Sequence, residues 1–317
     1  MGFFEEVKDD TQKKSHTLWV ERYRPVELND YIGNEHLKER VAGYLETSDI
    51  PHLLLYGVAG TGKTTLAKLI VHQIECDYMI INASDENNVD TVRNKVKNFA
   101  ASVGFKDLKV IILDEFDYMT PNAQAILRRL MEEFSKHCRF ILTCNYIEKV
   151  ISPIQSRCQT FQIVPPTKVD VAKQVVKILN AEKVEYNLED IVPIVDMNYP
   201  DIRKIINTCQ LNTSKGKLKI DKTTMIESDV KSKLIEIIKG SGSHRDKFMT
   251  IRKLIADSHI RDFTEMYSYL YEKVQEYTDD PTGVILVLAE GQYRDAMVVD
   301  KEIIFAATIS KVLEAVS

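Results

Sequence analysis

Long hydrophobic runs are missing from this chain of 317 residues. No stretch approaches the roughly 20 apolar residues of a membrane-spanning helix. Residues 1–15 are polar and lack the apolar core of a signal peptide. We therefore expect no membrane segment, no secretory leader and a cytoplasmic location.

Cysteine is scarce, and its positions follow no pattern. The five cysteines are Cys76, Cys138, Cys144, Cys158 and Cys209. Their number is odd and no two form a C-x-x-C pair, which argues against a disulfide framework and against a zinc site. Scattered, unpaired cysteines are typical of a protein in a reducing compartment.

Excess positive charge is also missing, since the formal net charge is −5 at pH 7. Any contact with nucleic acid must therefore come from a local basic face rather than from bulk attraction. Hydrophobic residues make up 44% and charged residues 28% of the chain, as in an ordinary soluble protein. The length predicts two or three domains.

What the sequence does contain is a phosphate-binding loop. Residues 57–64 read Gly-Val-Ala-Gly-Thr-Gly-Lys-Thr and fit the pattern G-x-x-x-x-G-K-[ST] without a mismatch. In this pattern the glycines let backbone N–H groups face phosphate oxygens, Lys63 adds a charge at the β and γ phosphates, and the Thr64 hydroxyl ligates Mg²⁺. An apolar run at 52–56 and helical spacing over 65–74 complete a strand–loop–helix unit.

A second motif supplies two carboxylates at the end of an apolar run. Residues 109–113 are followed by Asp114 and Glu115. Ligands of an open α/β sheet collect at the carboxyl ends of its strands, so we expect Asp114 to hold Mg²⁺ and Glu115 to polarise an attacking water. The alternative is a pair of solvated loop acids. Together with the loop, the motif predicts a nucleoside triphosphatase.

The chain alternates predicted strands and helices up to about residue 164. The predicted strands are 52–56, 78–82, 109–114, 139–144 and, as an edge strand, 159–164. This alternation predicts a parallel sheet with helices on its faces, and Thr120 with Pro121 marks the start of the helix after the acids. After Pro165-Pro166 only helices are predicted, over 168–181, 188–198, 201–211, 223–239 and onward to the end. We expect a flexible tail at 1–16, an α/β ATPase domain at 17–165, a small helical domain at 166–228 and a second helical domain at 229–317.

Three further polar residues are candidates for the site. Asn145 follows the strand at 139–144 and would reach the γ-phosphate or the attacking water if that strand neighbours the acid-bearing one; otherwise it simply opens a turn. Arg157 is either a solvated charge or an arginine finger that reaches a neighbouring subunit's γ-phosphate. Arg203, near the start of a helix, is positioned to bend back over the nucleotide.

These motifs resemble, in their order along the chain, those of an AAA+ ATPase. The matching segments are 57–64, 114–115, Asn145, Ser-Arg-Cys at 156–158 and Asp-Ile-Arg at 201–203. Trp-Val-Glu-Arg-Tyr-Arg-Pro at 19–25, Ile-Asn-Ala-Ser-Asp at 81–85 and the segment 120–132 narrow the resemblance to sliding-clamp loaders of the replication factor C small-subunit type. That type includes bacteriophage large subunits and archaeal small subunits. The resemblance is strong over 18–210 and weaker over 211–317, and it departs at Tyr199-Pro200, where the family has a glycine.

The resemblance implies that the helical domain at 166–228 is a lid and that the one at 229–317 is a collar used in oligomerisation. It also implies ATP and Mg²⁺ as ligands, with Thr64 and Asp114 holding the metal. It implies an adenine and ribose side lined by Val20, Glu21, Arg22, Tyr23 and Ile32, and a phosphate cradle of Gly60, Thr61, Gly62, Lys63, Thr64 and Thr65. It implies catalysis by Lys63, Asp114, Glu115 and Asn145, with Arg203 acting in cis and Arg157 in trans. Asn82 is positioned as a switch on Glu115, and Gln124 is either a coupling residue or a core amide.

The implied function is to open a sliding clamp and load it onto primer–template DNA at the replisome. The implied partners are the clamp, the DNA and other clamp-loader subunits, in a pentameric hetero-oligomer with several copies of this chain. For a phage protein the location would be the host cytoplasm. The stretch 91–109 is a candidate DNA face or a solvated helix; its charged residues are Arg93, Lys95, Lys97, Lys106 and Lys109 against Asp107. Phe99, Ala100 and Phe105 are candidates for clamp docking or for the core. The alternative functions are another AAA+ motor of the helicase or initiator type, and a structural subunit without turnover.

Overall fold

The computed structural model of the chain describes residues 17–47, 49–74, 76–85, 89–219, 222–258 and 260–316. The predicted tail at 1–16 lies outside these residues. The chain divides into two compact units, Met1–Lys219 and Ile220–Ser317. The predicted division of the chain at residues 165 and 228 stays a prediction.

A parallel sheet of five strands forms the centre of the first unit, in the order β2-β3-β4-β1-β5. The strands are β1 (Leu53–Tyr56), β2 (Cys76–Asn82), β3 (Leu108–Asp114), β4 (Cys138–Cys144) and β5 (Gln159–Gln162). The predicted strands are thus confirmed, and β5 lies at an edge. Because Leu113 of β3 pairs with Leu142 of β4, the acid pair and Asn145 leave the sheet side by side.

Both faces of this sheet are buried, which explains why its strands read as continuous apolar runs. One face packs against helices through Leu53, Leu55, Val110, Ile112 and Ile141. The other face does so through Leu54, Ile111, Leu113, Phe140 and Leu142. Neighbouring residues of each strand therefore belong to different cores, and the polar residues at the strand ends are left at the edge of both.

Helices surround the sheet and continue beyond it. They are α1 (Trp19–Arg22), α2 (Glu35–Thr47), α3 (Lys63–Gln73), α4 (Val89–Ala101), α5 (Pro121–Glu133), α6 (Ser152–Gln155), α7 (Lys168–Ala181), α8 (Leu188–Asn198) and α9 (Ile202–Leu211). The predicted start of α5 is confirmed, because the Thr120 hydroxyl accepts the Ala123 N–H at 3.3 Å. Asp201 likewise caps α9 by accepting the Lys204 N–H at 3.0 Å. Such caps stabilise a helix start by about 1 kcal/mol and fix where the following residues lie.

The prediction that no strand follows residue 166 is wrong. A short antiparallel hairpin joins β6 (Thr213–Ser214) to β7 (Lys217–Leu218). Lys215 and Gly216 both have positive φ, 51° and 75°, as a two-residue hairpin turn requires. Strands of two residues carry no readable alternation, so the sequence pattern did not reveal them.

Within its described residues the second unit contains helices joined by loops and no strand. Its helices are α10 (Lys222–Lys239), α11 (His244–Ser258), α12 (Thr264–Glu272), α13 (Val274–Tyr277), α14 (Pro281–Asp295) and α15 (Lys301–Val316). Aromatic rings form the centre of its core: Phe263 stacks on Phe305 at 4.6 Å between centroids, and Tyr267 meets Phe305 edge-on at 5.2 Å. Across the described part of the chain, no helix has both the length and the apolar character to cross a membrane.

His52, the residue before β1, is expected to make the first unit sensitive to acid. Its Nδ1 accepts the Phe140 N–H at 3.1 Å, so this nitrogen must stay unprotonated. Burial and, to a smaller extent, the charge of Arg139 lower the pKa of His52 to about 4. The unfolded chain takes up the proton near pH 6.5. The stabilisation is therefore complete above about pH 6.5 and is lost progressively as the pH falls towards 4.

We expect this loss to reach about 2 kcal/mol, since solvent near the half-buried ring screens part of the shift. The free energy of unfolding, measured with denaturant between pH 7.5 and 4.5, checks this. Other groups also titrate in this range, so the control is His52→Asn, whose side-chain oxygen keeps an acceptor without titrating. Equal pH slopes for the two proteins would contradict the assignment.

Candidate nucleotide-binding site

The phosphate-binding loop connects β1 to α3 and depends on glycine at two points. Gly60 and Gly62 have φ of 75° and 93°, in the left-handed region that favours glycine. A Cβ at Gly60 would lie 2.0 Å from the carboxylate of Asp201, and one at Gly62 would lie 3.0 Å from the ring of Tyr31. The glycines thus allow both the turn and the close approach of the neighbouring elements.

This loop forms one wall of a cavity of about 170 Å³. The cavity brings together most of the predicted site: Val20, Tyr23, Ile32, Gly60, Thr61, Gly62, Lys63, Thr64, Thr65, Asp114, Glu115, Asn145 and Arg203 all line it. Other lining residues were not predicted from the sequence, namely Arg24, Pro25, Asp30, Tyr31, Ala59, Thr143, Cys144, Gln174, Ile202 and Ile206. Arg24, Pro25, Ala59 and Ile202 lie within motifs quoted above without having been assigned to the site, whereas the other six lie outside those motifs.

The acid pair meets the loop through Asp114. Its Oδ1 accepts hydrogen bonds from the Thr64 hydroxyl at 2.7 Å and from the Thr143 hydroxyl. Among the described residues no group of three or more His, Cys, Asp or Glu side chains could hold a metal ion. A hydroxyl beside a single carboxylate nevertheless suits Mg²⁺, which takes few protein oxygens and completes its shell with water and substrate phosphates. The donor set therefore fits the implied metal.

Lys63 is buried at the start of α3. Its Nζ donates to two carbonyls of the loop, Gly57 O at 2.9 Å and Val58 O at 2.8 Å. Burial lowers the pKa of Lys63, and the carboxylates of Asp114 and Asp117 oppose this shift. A positive charge at a helix N-terminus, beside glycines that expose backbone N–H groups, forms a site for a polyphosphate.

Asn145 is held by a residue that the sequence analysis did not single out. Asp117 is only 7% exposed, and its Oδ2 accepts the N–H groups of Asn145 and Tyr146, each at 3.3 Å. Within the described residues its Oδ1 has no hydrogen-bond partner. The available signal was the third acid, Asp117, of the run Asp-Glu-Phe-Asp at 114–117. Burial and the charge of Asp117 raise the pKa of the adjacent Cys144 to about 12, so this thiol stays neutral near pH 7.

The N-terminal segment is fastened to α9 rather than to the sheet. The Trp19 N–H donates to Gln210 Oε1 at 2.9 Å, and the Gln210 amide donates to Thr17 O at 2.6 Å. This double contact keeps α1 beside the helix that begins at Ile202. Val20 and Arg203 consequently line the same cavity.

Glu21 and Arg22 do not line the cavity, although they belong to the predicted adenine and ribose side. Glu21 pairs with Arg24 at 2.6 Å. Arg22 pairs with Glu182 at 2.6 Å, and the Tyr23 hydroxyl donates to the same carboxylate at 2.5 Å. The contact of Glu21 and Arg22 with a nucleotide stays a prediction.

Arg157 also lies outside the cavity. It follows α6, where one guanidinium nitrogen donates to Pro153 O at 2.6 Å and another pairs with Glu132 on α5. Its side chain is 36% exposed. The chain's own site therefore lacks this charge, and action on a neighbouring subunit stays a prediction.

Two residues with open interpretations have defined contacts. The Asn82 side-chain oxygen accepts the N–H of Ser84 at 3.0 Å and its hydroxyl at 2.9 Å, so the predicted switch on Glu115 is not visible as a contact. Gln124 is fully buried; its amide donates to Met119 O and Lys149 O and accepts the Ile151 N–H. Gln124 thus has every feature of a core amide.

The basic stretch at 91–109 includes a lysine that is not on the surface. Lys109 is 5% exposed, and its Nζ donates to Phe99 O at 2.8 Å and to Ser102. Counting Lys109 with the exposed basic residues was wrong, because it caps the end of α4. Phe99 packs against the sheet core, and Ala100 is buried in it. Phe105, by contrast, is 99% exposed.

The parallel sheet, the phosphate loop and the acids at a strand end define an AAA ATPase domain. The family model described as "ATPase family associated with various cellular activities (AAA)" matches residues 53–166. The fold is also that of the RuvB Holliday junction branch migration motor of Thermotoga maritima. That structure is 17% identical, covers 93% of this chain and 90% of its own, and has a TM-score of 0.56.

Replication factor C small subunits are similar along more of the sequence. That of Haloarcula marismortui is 33% identical over 303 residues, 91% of this chain and 93% of the relative. The small subunit of Aeropyrum pernix is 38% identical over 267 residues, which cover 82% of this chain and 77% of the relative. The chain belongs to the replication factor C small-subunit family. The match to the protein of Saccharolobus solfataricus, 41% identical over 216 residues, spans 66% of that relative's length.

Proposed function

We propose that this chain is an ATPase subunit of a sliding-clamp loader. In this function ATP binding and hydrolysis open the polymerase processivity clamp and load it onto primer–template DNA, within a hetero-oligomer that contains several copies of the chain. The observation that carries the proposal is the similarity to a replication factor C small subunit over 303 residues, which includes the helical second unit. The joint lining of one cavity by Lys63, Asp114, Glu115 and Asn145 supports turnover rather than mere nucleotide binding.

The site suggests a division of tasks for hydrolysis. Lys63 and the loop N–H groups bind the phosphates, while Thr64 and Asp114 hold Mg²⁺, which neutralises phosphate charge when bound. Glu115 orients and polarises the attacking water. Asn145, fixed through its backbone by Asp117, contacts the γ-phosphate, and Arg203 contributes its charge from α9.

In this proposal, surface residues of the first unit contact the DNA and the clamp. Arg93, Lys95 and Lys97 are exposed on α4, and we propose that they follow the phosphate backbone of DNA. Several subunits acting together make such weak contacts effective in a chain with net negative charge. Phe105 is the proposed clamp contact. The loop that carries it is anchored by Asp77, whose Oδ2 accepts the N–H groups of Phe105 at 2.7 Å and Lys106 at 3.1 Å.

ATP turnover of the chain assembled with its partner subunits tests the proposal. We expect low turnover for the assembly alone, a partial increase with primed DNA or clamp, and the full rate only with both. A rate indifferent to both would remove the clamp-loader function and leave the nucleoside triphosphatase. A response to DNA alone would favour a helicase or initiator motor, and no turnover under any condition would favour a structural subunit.

A further inference from the structure

Thr143 contacts both acids of the candidate site. It lies next to the end of β4 and is 1% exposed. Its hydroxyl donates to Asp114 Oδ1 and accepts the Glu115 N–H at 3.2 Å. A threonine hydroxyl has one proton to donate and two lone pairs to accept, so both bonds form at once.

The bond to Glu115 supports an unusual backbone conformation. Glu115 has φ 55° and ψ 41°, the left-handed region that residues other than glycine rarely adopt. Such a conformation persists where the surroundings fix it, and it is frequent at functional sites. Here it turns the chain out of β3 directly after Asp114. The Thr143 hydroxyl satisfies the N–H group at that turn.

Asp114 accepts hydrogen bonds from two different parts of the fold. Thr64, which also donates to Asp114 Oδ1, belongs to the phosphate-binding loop and its helix. Thr143 belongs to β4, which pairs with β3 inside the sheet. It therefore holds the carboxylate from the sheet, independently of any change in the loop.

We propose that Thr143 is a positioning residue for ATP hydrolysis, one hydroxyl that fixes the carboxylate of Asp114 and the backbone of Glu115 in a common geometry. This inference rests on the proposed ATPase function. Loss of the hydroxyl should act on the metal and on the attacking water rather than on ATP affinity. The reason is that the phosphates are bound by the loop at 57–64, to which Thr143 makes no hydrogen bond.

Two variants separate the hydroxyl from the shape of the side chain. Thr143→Val keeps the shape and removes the hydroxyl, whereas Thr143→Ser keeps the hydroxyl and removes a methyl group. For the assembled protein with Thr143→Val we expect kcat to fall, or the half-saturating Mg²⁺ concentration to rise, by about tenfold or more, as for other residues that orient a metal ligand. KM for ATP should change by less than about threefold. Thr143→Ser should recover most of the turnover.

A second measurement does not depend on turnover. Binding of a fluorescent ATP analogue to the isolated chain, titrated at several Mg²⁺ concentrations, should show a weaker Mg²⁺ dependence for Thr143→Val than for Thr143→Ser. Equal losses in both variants would assign Thr143 to packing, and full activity in both would overturn the proposal. If the unaltered assembly had no turnover, the proposed function would fail, while the Mg²⁺ titration would still decide whether Thr143 positions Asp114.

Discussion

Replacing Glu115 with glutamine is expected to lower the ATP turnover of the assembled protein by about a hundredfold or more, the range typical of a lost general base. Glutamine has nearly the same size, but its amide cannot take a proton from the attacking water. The left-handed backbone at this position should persist, because Thr143 bonds the N–H group and not the side chain. ATP binding should therefore change by less than about threefold.

Single-turnover hydrolysis and equilibrium binding, measured on the same preparation, check this result. Glu148→Gln is the matched control, since Glu148 is an exposed acid after β4 that does not line the cavity. It should leave both quantities unchanged. Unchanged turnover in the Glu115→Gln assembly would show that hydrolysis occurs elsewhere, and it would favour the structural-subunit alternative.

The phosphate loop was predictable from the sequence because its requirements are local. Gly60 and Gly62 are required by the backbone conformation of the loop itself, and Lys63 and Thr64 follow at fixed positions on α3. The acid pair was predictable for a related reason. An apolar strand is buried inside the sheet, so the charged residues that follow it lie at the edge of the sheet. Neither prediction required the order of the strands in the sheet.

Residues that act across strands were beyond the sequence pattern. Thr143 and Asp117 matter because β3 lies beside β4, and the helix α5 separates these strands along the chain. Arg22 is the converse case, a residue that the sequence pattern does identify but whose partner it does not. It lies in a recognisable segment, yet Glu182, which is 160 positions away, determines where its side chain points. The local pattern identifies such residues without revealing their partners.

Lys109 shows how tertiary structure changes the meaning of a charge. In the sequence it extends a basic stretch, whereas in the fold its ammonium group caps the end of α4 and is withdrawn from solvent. A count of basic residues therefore overstates the surface available to DNA. Only burial separates Lys109 from Lys97, and the charge pattern of the sequence gives no sign of that burial.

Arg157→Ala is expected to lower turnover of the assembled protein by about a thousandfold or more, as for other arginine fingers, and to leave ATP affinity of the isolated chain nearly unchanged. Affinity should hold because Arg157 does not line the chain's own cavity. Turnover should fall because a neighbouring site would lose the charge that stabilises its transition state. ATP binding to the isolated chain and hydrolysis by the assembly are the two measurements.

The ion pair between Arg157 and Glu132 offers a control that distinguishes a finger from a structural contact. Both side chains are substantially exposed, 36% and 48%, and exposed pairs of this kind contribute about 0–1 kcal/mol. Arg157 can therefore leave Glu132 for a neighbouring phosphate at little cost. Glu132→Gln should leave turnover unchanged or slightly raised, because it frees the arginine. If Glu132→Gln and Arg157→Ala instead caused the same loss, the pair would be structural; and if Arg157→Ala abolished ATP binding by the isolated chain, the arginine would act in its own site.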